Sequence, residues 1–267
     1  MRHESDEEEG EEEQEPIPVN QLEDVRMSNF AFAQTKIGEF ITVIFSTIGI
    51  CSSIIGSEMS HVNKDGSKDQ EIQNVRWSCM LASLLMCISI MGNYQLFIRW
   101  QRTKNFIIET DNLFNTGLYK IMIVEVCAVL IQPYPFLQGV MYKEEHMYGN
   151  NSNKFQVNDL LLCWMIFSRV YFYARSILSI SFYTDPRSQR VCSIYGAEAG
   201  YTFALKALMK EKPWNVLACS LAMSVFVFGY CLRLFERVIQ PEFTYVSTSM
   251  WNVLITMTTV GYGDYFA

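Results

Sequence analysis

The chain has 267 residues; 50% are hydrophobic, 14% are aromatic and only 18% are charged. That is the profile of a membrane protein with sizeable polar loops, and no basic patch suggests a nucleic-acid partner. The net charge of -7 is local: residues 1–15 hold nine acids and one base, which leaves 19 acids against 20 bases and a nearly neutral body.

In chain order, the acidic block runs from Glu4 to Glu15 and is followed by Pro16 and Pro18. With almost nothing apolar to bury, residues 1–36 are expected to form a disordered cytoplasmic tail. A cleavable signal peptide is excluded, since that needs a basic start and an early apolar run. Five apolar stretches follow, at 40–57 (or from Ile37 if Glu39 is included), 77–98, 121–142, 160–183 and 214–232. A spanning helix needs ~20 residues to cross ~30 Å of hydrocarbon, and irregular backbone is costly at that depth. Each stretch is therefore expected to be a helix: four within 37–183, a cytoplasmic linker over 184–212, and a fifth helix opening a partial pore domain over 213–267.

Loop charges orient the bundle. Arg99, Arg102, Lys104 and Lys120 lie between the second and third stretches, and Arg187, Arg190, Lys206, Lys210 and Lys212 between the fourth and fifth. By the positive-inside rule both loops are cytoplasmic, as is the N-terminus. Glu58, Asp65, Asp69, Glu71, Glu144, Glu145 and Asp159 mark the loops expected to face outward, one with the glycosylation sequon Asn150-Asn151-Ser152.

The fourth stretch carries only Arg169 and Arg175. One charge moved through the field is worth ~2.3 kcal/mol per 100 mV, so a steep voltage sensor needs more arginines. Structural ion pairs with Glu125 of the third stretch are the expectation. In the linker, Asp185-Pro186 reads as a helix start. Gly196 and Gly200 interrupt it before the amphipathic run Tyr201–Met209.

Near the end of the chain stands Thr258-Thr259-Val260-Gly261-Tyr262-Gly263-Asp264, behind an uncharged run from Thr244 to Met257. Ser247, Thr248 or Ser249 is a candidate cap for a short helix there, whose negative C-terminal end favours a cation. Glycine takes positive φ at little cost, so Gly261 and Gly263 allow a backbone alternating between left- and right-handed regions. This segment resembles the selectivity filter of potassium channels, where rings of backbone carbonyls replace the hydration shell of the ion. The resemblance implies that Thr259, Val260, Gly261, Tyr262 and Gly263 form the ion-binding segment. Thr258, Asp264 and Trp251 would support it, with Trp251 hydrogen-bonded to Asp264. Many relatives carry a second tryptophan where this chain has Asn252.

Further resemblance covers roughly residues 37 to 264. Ser168-Arg169-Val170-Tyr171-Phe172-Tyr173-Ala174-Arg175 and Tyr183-Thr184-Asp185-Pro186-Arg187-Ser188 resemble the fourth helix and linker of small-conductance calcium-activated potassium channels. Glu125-Val126-Cys127 with Pro133-Tyr134-Pro135 is similar to that family's third helix, and Arg233 with Glu236-Arg237 to the end of its fifth. The filter departs from it, since that family usually has a serine-isoleucine version.

The resemblance implies an all-α membrane protein. It would be a plasma-membrane potassium channel subunit that works as a homo- or heterotetramer in lipid and is gated by calcium through calmodulin rather than by voltage. Calmodulin would touch the linker, although the family's main docking region is absent. No cofactor beyond potassium ions is expected. The family's sixth helix is not found before Ala267, so the chain is expected not to conduct alone, whether as a fragment or as a short regulatory subunit. The alternatives are a non-conducting scaffold subunit and a voltage-gated channel fragment. Eight cysteines without a Cys-x-x-Cys spacing suggest neither zinc nor a disulfide framework. Enzyme chemistry has no visible motif.

Overall fold

The computed structural model describes residues 19–63, 68–103, 108, 111–145, 152–197 and 199–265. The acidic block, Asp65, Lys104, Asn150 and Asn151 lie outside these residues.

Helix α1 (Val19–Val62) and helix α2 (Asp69–Thr103) are the longest elements and pack along each other. At their contact, Asn93 Nδ2 donates to Thr42 Oγ1 at 2.9 Å, and the Thr42 and Ser89 hydroxyls are 2.8 Å apart. α1 begins far ahead of the apolar stretch it contains, so residues 19–36, expected to be disordered tail, are helical. No proline or glycine stands between Pro18 and Gly38 to stop the helix, and Pro18 just precedes it, where a missing N–H is harmless.

Helix α3 (Leu118–Leu130) corrects the expectation for the third stretch. Its 13 residues span about 20 Å, short of a bilayer crossing. The helix stops at Ile131, whose backbone is extended, and a 3-10 turn follows at Pro135–Leu137. Pro133 and Pro135 lack the N–H that the helix needs, and each disfavours helix in the residue before it. The non-helical segment is covered by protein: Gln132, Pro133 and Pro135 are buried, and the backbone N–H of Tyr134 donates to Asn158 Oδ1 at 3.2 Å.

Strands β1 (Met141–Glu145) and β2 (Ser152–Gln156) form an antiparallel hairpin, with Met141 opposite Gln156 and Glu145 opposite Ser152. It leads into α4 (Val157–Ile180). After a turn at Phe182–Thr184 come two short linker helices, α5 (Pro186–Ile194) and α6 (Tyr201–Glu211). Then comes the 24-residue α7 (Pro213–Glu236). A turn at Pro241–Thr244 connects it to α8 (Val246–Met257).

Among the described residues, four helices are long and apolar enough to cross a membrane: Val25–Val62 within α1, α2, α4 and α7. This is a largely helical membrane protein. Its core is Met86, Cys87, Ile90 and Tyr94 of α2 against Val129 of α3 and Phe172 of α4. A second cluster joins Leu162 and Ile166 of α4 to Cys231 and Leu234 of α7. α7 is the least covered span, with 11% of its most apolar window buried.

Candidate functional site

α8 rests on α7 at one close approach. A side chain at Gly229 would meet the Met250 backbone at 3.1 Å, so only glycine lets the two helices come so near. α8 starts at Val246 with Tyr245 in the cap position and no side-chain cap bond. Ser247, Thr248 and Ser249, the candidate caps, therefore lie inside the first turn, and Ser249 is fully buried.

At its other end, α8 hands over directly to the glycine-containing segment. Ile255 O accepts the N–H of Val260 at 3.1 Å and of Gly261 at 3.4 Å, while Thr258 Oγ1 donates to Leu254 O at 2.9 Å. φ is positive at Thr259 (59°), Gly261 (54°) and Gly263 (72°), and at neither Val260 nor Tyr262. Sequence reasoning anticipates this at the glycines but not at Thr259. A β-branched residue rarely enters that region, and such a conformation costs on the order of 1–3 kcal/mol. The negative C-terminal end of α8 lies just before this segment and favours a cation there.

Two side chains brace the segment. Trp251 Nε1 donates to Asp264 Oδ2 at 3.1 Å. The Trp251 and Tyr262 rings stack with centroids 6.1 Å apart and planes within 7°. Val260 and Tyr262 are exposed in the single chain. Asn252 is buried, and its carbonyl accepts from Thr256 Oγ1.

Elsewhere in the bundle, two ionic networks tie the helices together. At the linker end, Arg175 Nη1 is 3.0 Å from Glu125 and its Nε is 3.1 Å from Glu39. Tyr171 donates to Glu125 at 2.9 Å, and Tyr201 of α6 donates to Glu39 at 2.6 Å. Burial and the Glu39 carboxylate both push the Tyr201 phenol above its ordinary pKa. Lys36 pairs with Asp185 at 2.6 Å, just before α5. Arg169 departs from expectation: it is fully buried away from Glu125, with Nη2 donating to Ser83 Oγ at 2.7 Å and Nη1 facing Met86 Sδ at 2.9 Å.

At the hairpin end, Glu58 accepts from Arg233, Arg237 and Tyr230, and Arg237 reaches Asp159 at 3.3 Å. Glu58 and Asp159, read from the sequence as loop acids, thus join α7 to α1 and α4. The signal in the sequence is Arg233 and Arg237, one turn apart at the end of an apolar helix. All eight cysteines are free. Among the described residues no group of three His, Cys, Asp or Glu side chains is placed to hold a metal ion.

No protein-family model matches the chain, and no curated protein sequence matches it.

Proposed function

We propose that the chain is a subunit of a tetrameric potassium channel, a transport protein rather than an enzyme, with the segment after α8 as its selectivity filter. Thr259, Val260, Gly261, Tyr262 and Gly263 hold dehydrated potassium ions, while Thr258, Trp251 and Asp264 keep them in place. The observation that carries this reading is the alternation of positive φ at residues 259, 261 and 263 directly after α8, tied down by the Trp251–Asp264 hydrogen bond. One chain supplies one such segment, and a ring of carbonyls needs four. The exposed Val260 and Tyr262 and the uncovered face of α7 leave room for neighbouring copies or related subunits.

The linker and the N-terminus lie in the cytoplasm in this reading, with the hairpin outside and the plasma membrane as the site of action. Gating responds to an internal ligand, calcium through calmodulin by the resemblance, with α5 and α6 as the contact. Support for a weak role of voltage comes from Arg175, which is held between two carboxylates.

The test compares purified chain in lipid nanodiscs in potassium and in sodium at equal ionic strength. Potassium raises the melting temperature of the oligomer saturably, and Gly261→Ala removes the difference because the added methyl penalises the φ of 54°. Equal melting in the two cations overturns the filter reading and leaves the non-conducting scaffold.

A further inference from the structure

At the hairpin end of the bundle, Ser53 and Ser57 of α1, Arg76 and Cys79 of α2, and Asn158 and Asp159 of α4 line a small cavity. Its free volume of about 10 Å³ leaves room for one small guest, a water or a monatomic ion. Arg76 is 3% exposed and makes no ion pair with a described carboxylate, and its Nη1 is buried without a hydrogen-bond partner among the described residues. An ionised group taken out of water without a partner is among the costliest arrangements in a protein, more so at membrane depth.

The other polar groups of the wall show what the guest must be. Ser53 Oγ is also buried, with no hydrogen-bond partner among the described residues better than the neighbouring Cys79 thiol. Asn158 uses its carbonyl oxygen for the N–H of Tyr134, which leaves its NH2 to donate. The one carboxylate of the wall, Asp159, is engaged by Ser57 at 2.7 Å and by Arg237 at 3.3 Å. The cavity also adjoins the first turn of α4, whose backbone N–H groups favour negative charge. Ion pairing agrees: Arg233 and Arg237 take up Glu58 and Asp159, while among the described residues Arg76 and the deeper Arg169 have no carboxylate within ion-pair distance, and Asp159 acts on Arg76 only from farther off. The groups left free in the wall are donors, and the cation among them has no direct ion-pair partner among the described residues.

We propose that this cavity binds one small monovalent anion, chloride at ordinary salt, held by Arg76 and Ser53 between α1, α2 and α4. The site does not depend on the channel reading. It is tested with the purified 267-residue chain in lipid nanodiscs, with chloride replaced stepwise by gluconate at fixed cation concentration. Chloride raises the melting temperature saturably, and bromide substitutes for it. Arg76→Gln abolishes the increment, while Ser53→Ala moves half-saturation up about fivefold, the loss of one hydrogen bond. Identical melting of the unmodified chain in chloride and gluconate overturns the proposal and leaves a water bridging Arg76 and Asp159. A folded Arg76→Gln protein that keeps the chloride increment overturns it as well. Should Arg76→Gln fail to fold, Ser53→Ala decides, and an unshifted half-saturation sinks the site.

Discussion

Arg169 and Arg175 stand on one helix, and their surroundings set them apart. Arg175 reaches the carboxylates of Glu39 and Glu125, whereas among the described residues Arg169 bonds a hydroxyl and a thioether. Charges at membrane depth persist where they pair, so Arg175 is the side chain that holds α1, α3 and α4 together at the linker end. Replacing it with glutamine leaves two buried carboxylates facing each other without a cation. Arg175→Gln is therefore expected to cost about 3–5 kcal/mol, read as a lowered melting temperature in nanodiscs, with Arg175→Lys recovering part of it. Unchanged melting would mean that the pairs contribute nothing net. Half of this arrangement is legible in the sequence, because Glu125 in an apolar stretch demands a basic partner. Glu39 is not, since it meets Arg175 across 136 residues and no local pattern reports such a distance.

α6 is held to α1 by the Tyr201 hydroxyl on Glu39, beside the small buried surface at Ala204, and its far end meets Tyr183 through Glu211. A phenol is protonated at physiological pH, and the upward shift from burial and Glu39 extends its donating form further into alkaline solution. Tyr201→Phe removes the bond and little else, and a hydrogen bond to a charged group is worth ~1.5–3 kcal/mol. Backbone amides of α6 should then exchange with deuterium roughly tenfold faster or more, while those of α2 stay unchanged. Unaltered exchange in α6 would show that the apolar contacts alone hold it. At this scale, what the sequence makes legible follows physical rules with different reach. Apolar length locates α2, α4 and α7 to within a few residues of their cores. Gly196, at φ 69°, separates α5 from α6 where a break is expected. The third stretch misleads because counting apolar residues ignores Pro133 and Pro135, which end the helix long before the hydrophobicity does. The hairpin escapes notice because Met-Tyr-Lys-Glu-Glu and Ser-Asn-Lys-Phe-Gln lack a clean two-residue alternation, and each strand is defined only by the other. The segment after α8 is the reverse case: its glycine spacing alone anticipates two of its three left-handed residues.

Taken whole, the molecule is a helical bundle tied to α7 and α8 by charges at one end and by the linker at the other. Glu58 bridges α1 to Arg233 and Arg237 of α7, and Lys36 and Glu39 of α1 meet Asp185 and Tyr201 at the linker. Movement of α4 across the field must break this frame. A unit charge carried through the field gains ~2.3 kcal/mol per 100 mV, while freeing Arg175 from two buried carboxylates costs about 3–5 kcal/mol. Over ordinary membrane voltages the lock outweighs the drive, and Arg169, enclosed among Ser83, Met86 and the α1 backbone near Gly49, adds no mobile charge. Channels containing this subunit, if the proposed function holds, should therefore open with a shallow voltage dependence and respond instead to internal calcium. The decisive recording holds internal calcium at zero and steps the voltage, then repeats the steps with calcium present. A conductance that stays low in the first series and rises at all voltages in the second is expected. Current that climbs steeply with depolarisation in calcium-free solution would show that α4 moves despite its ion pairs, and the bundle would then be a voltage sensor.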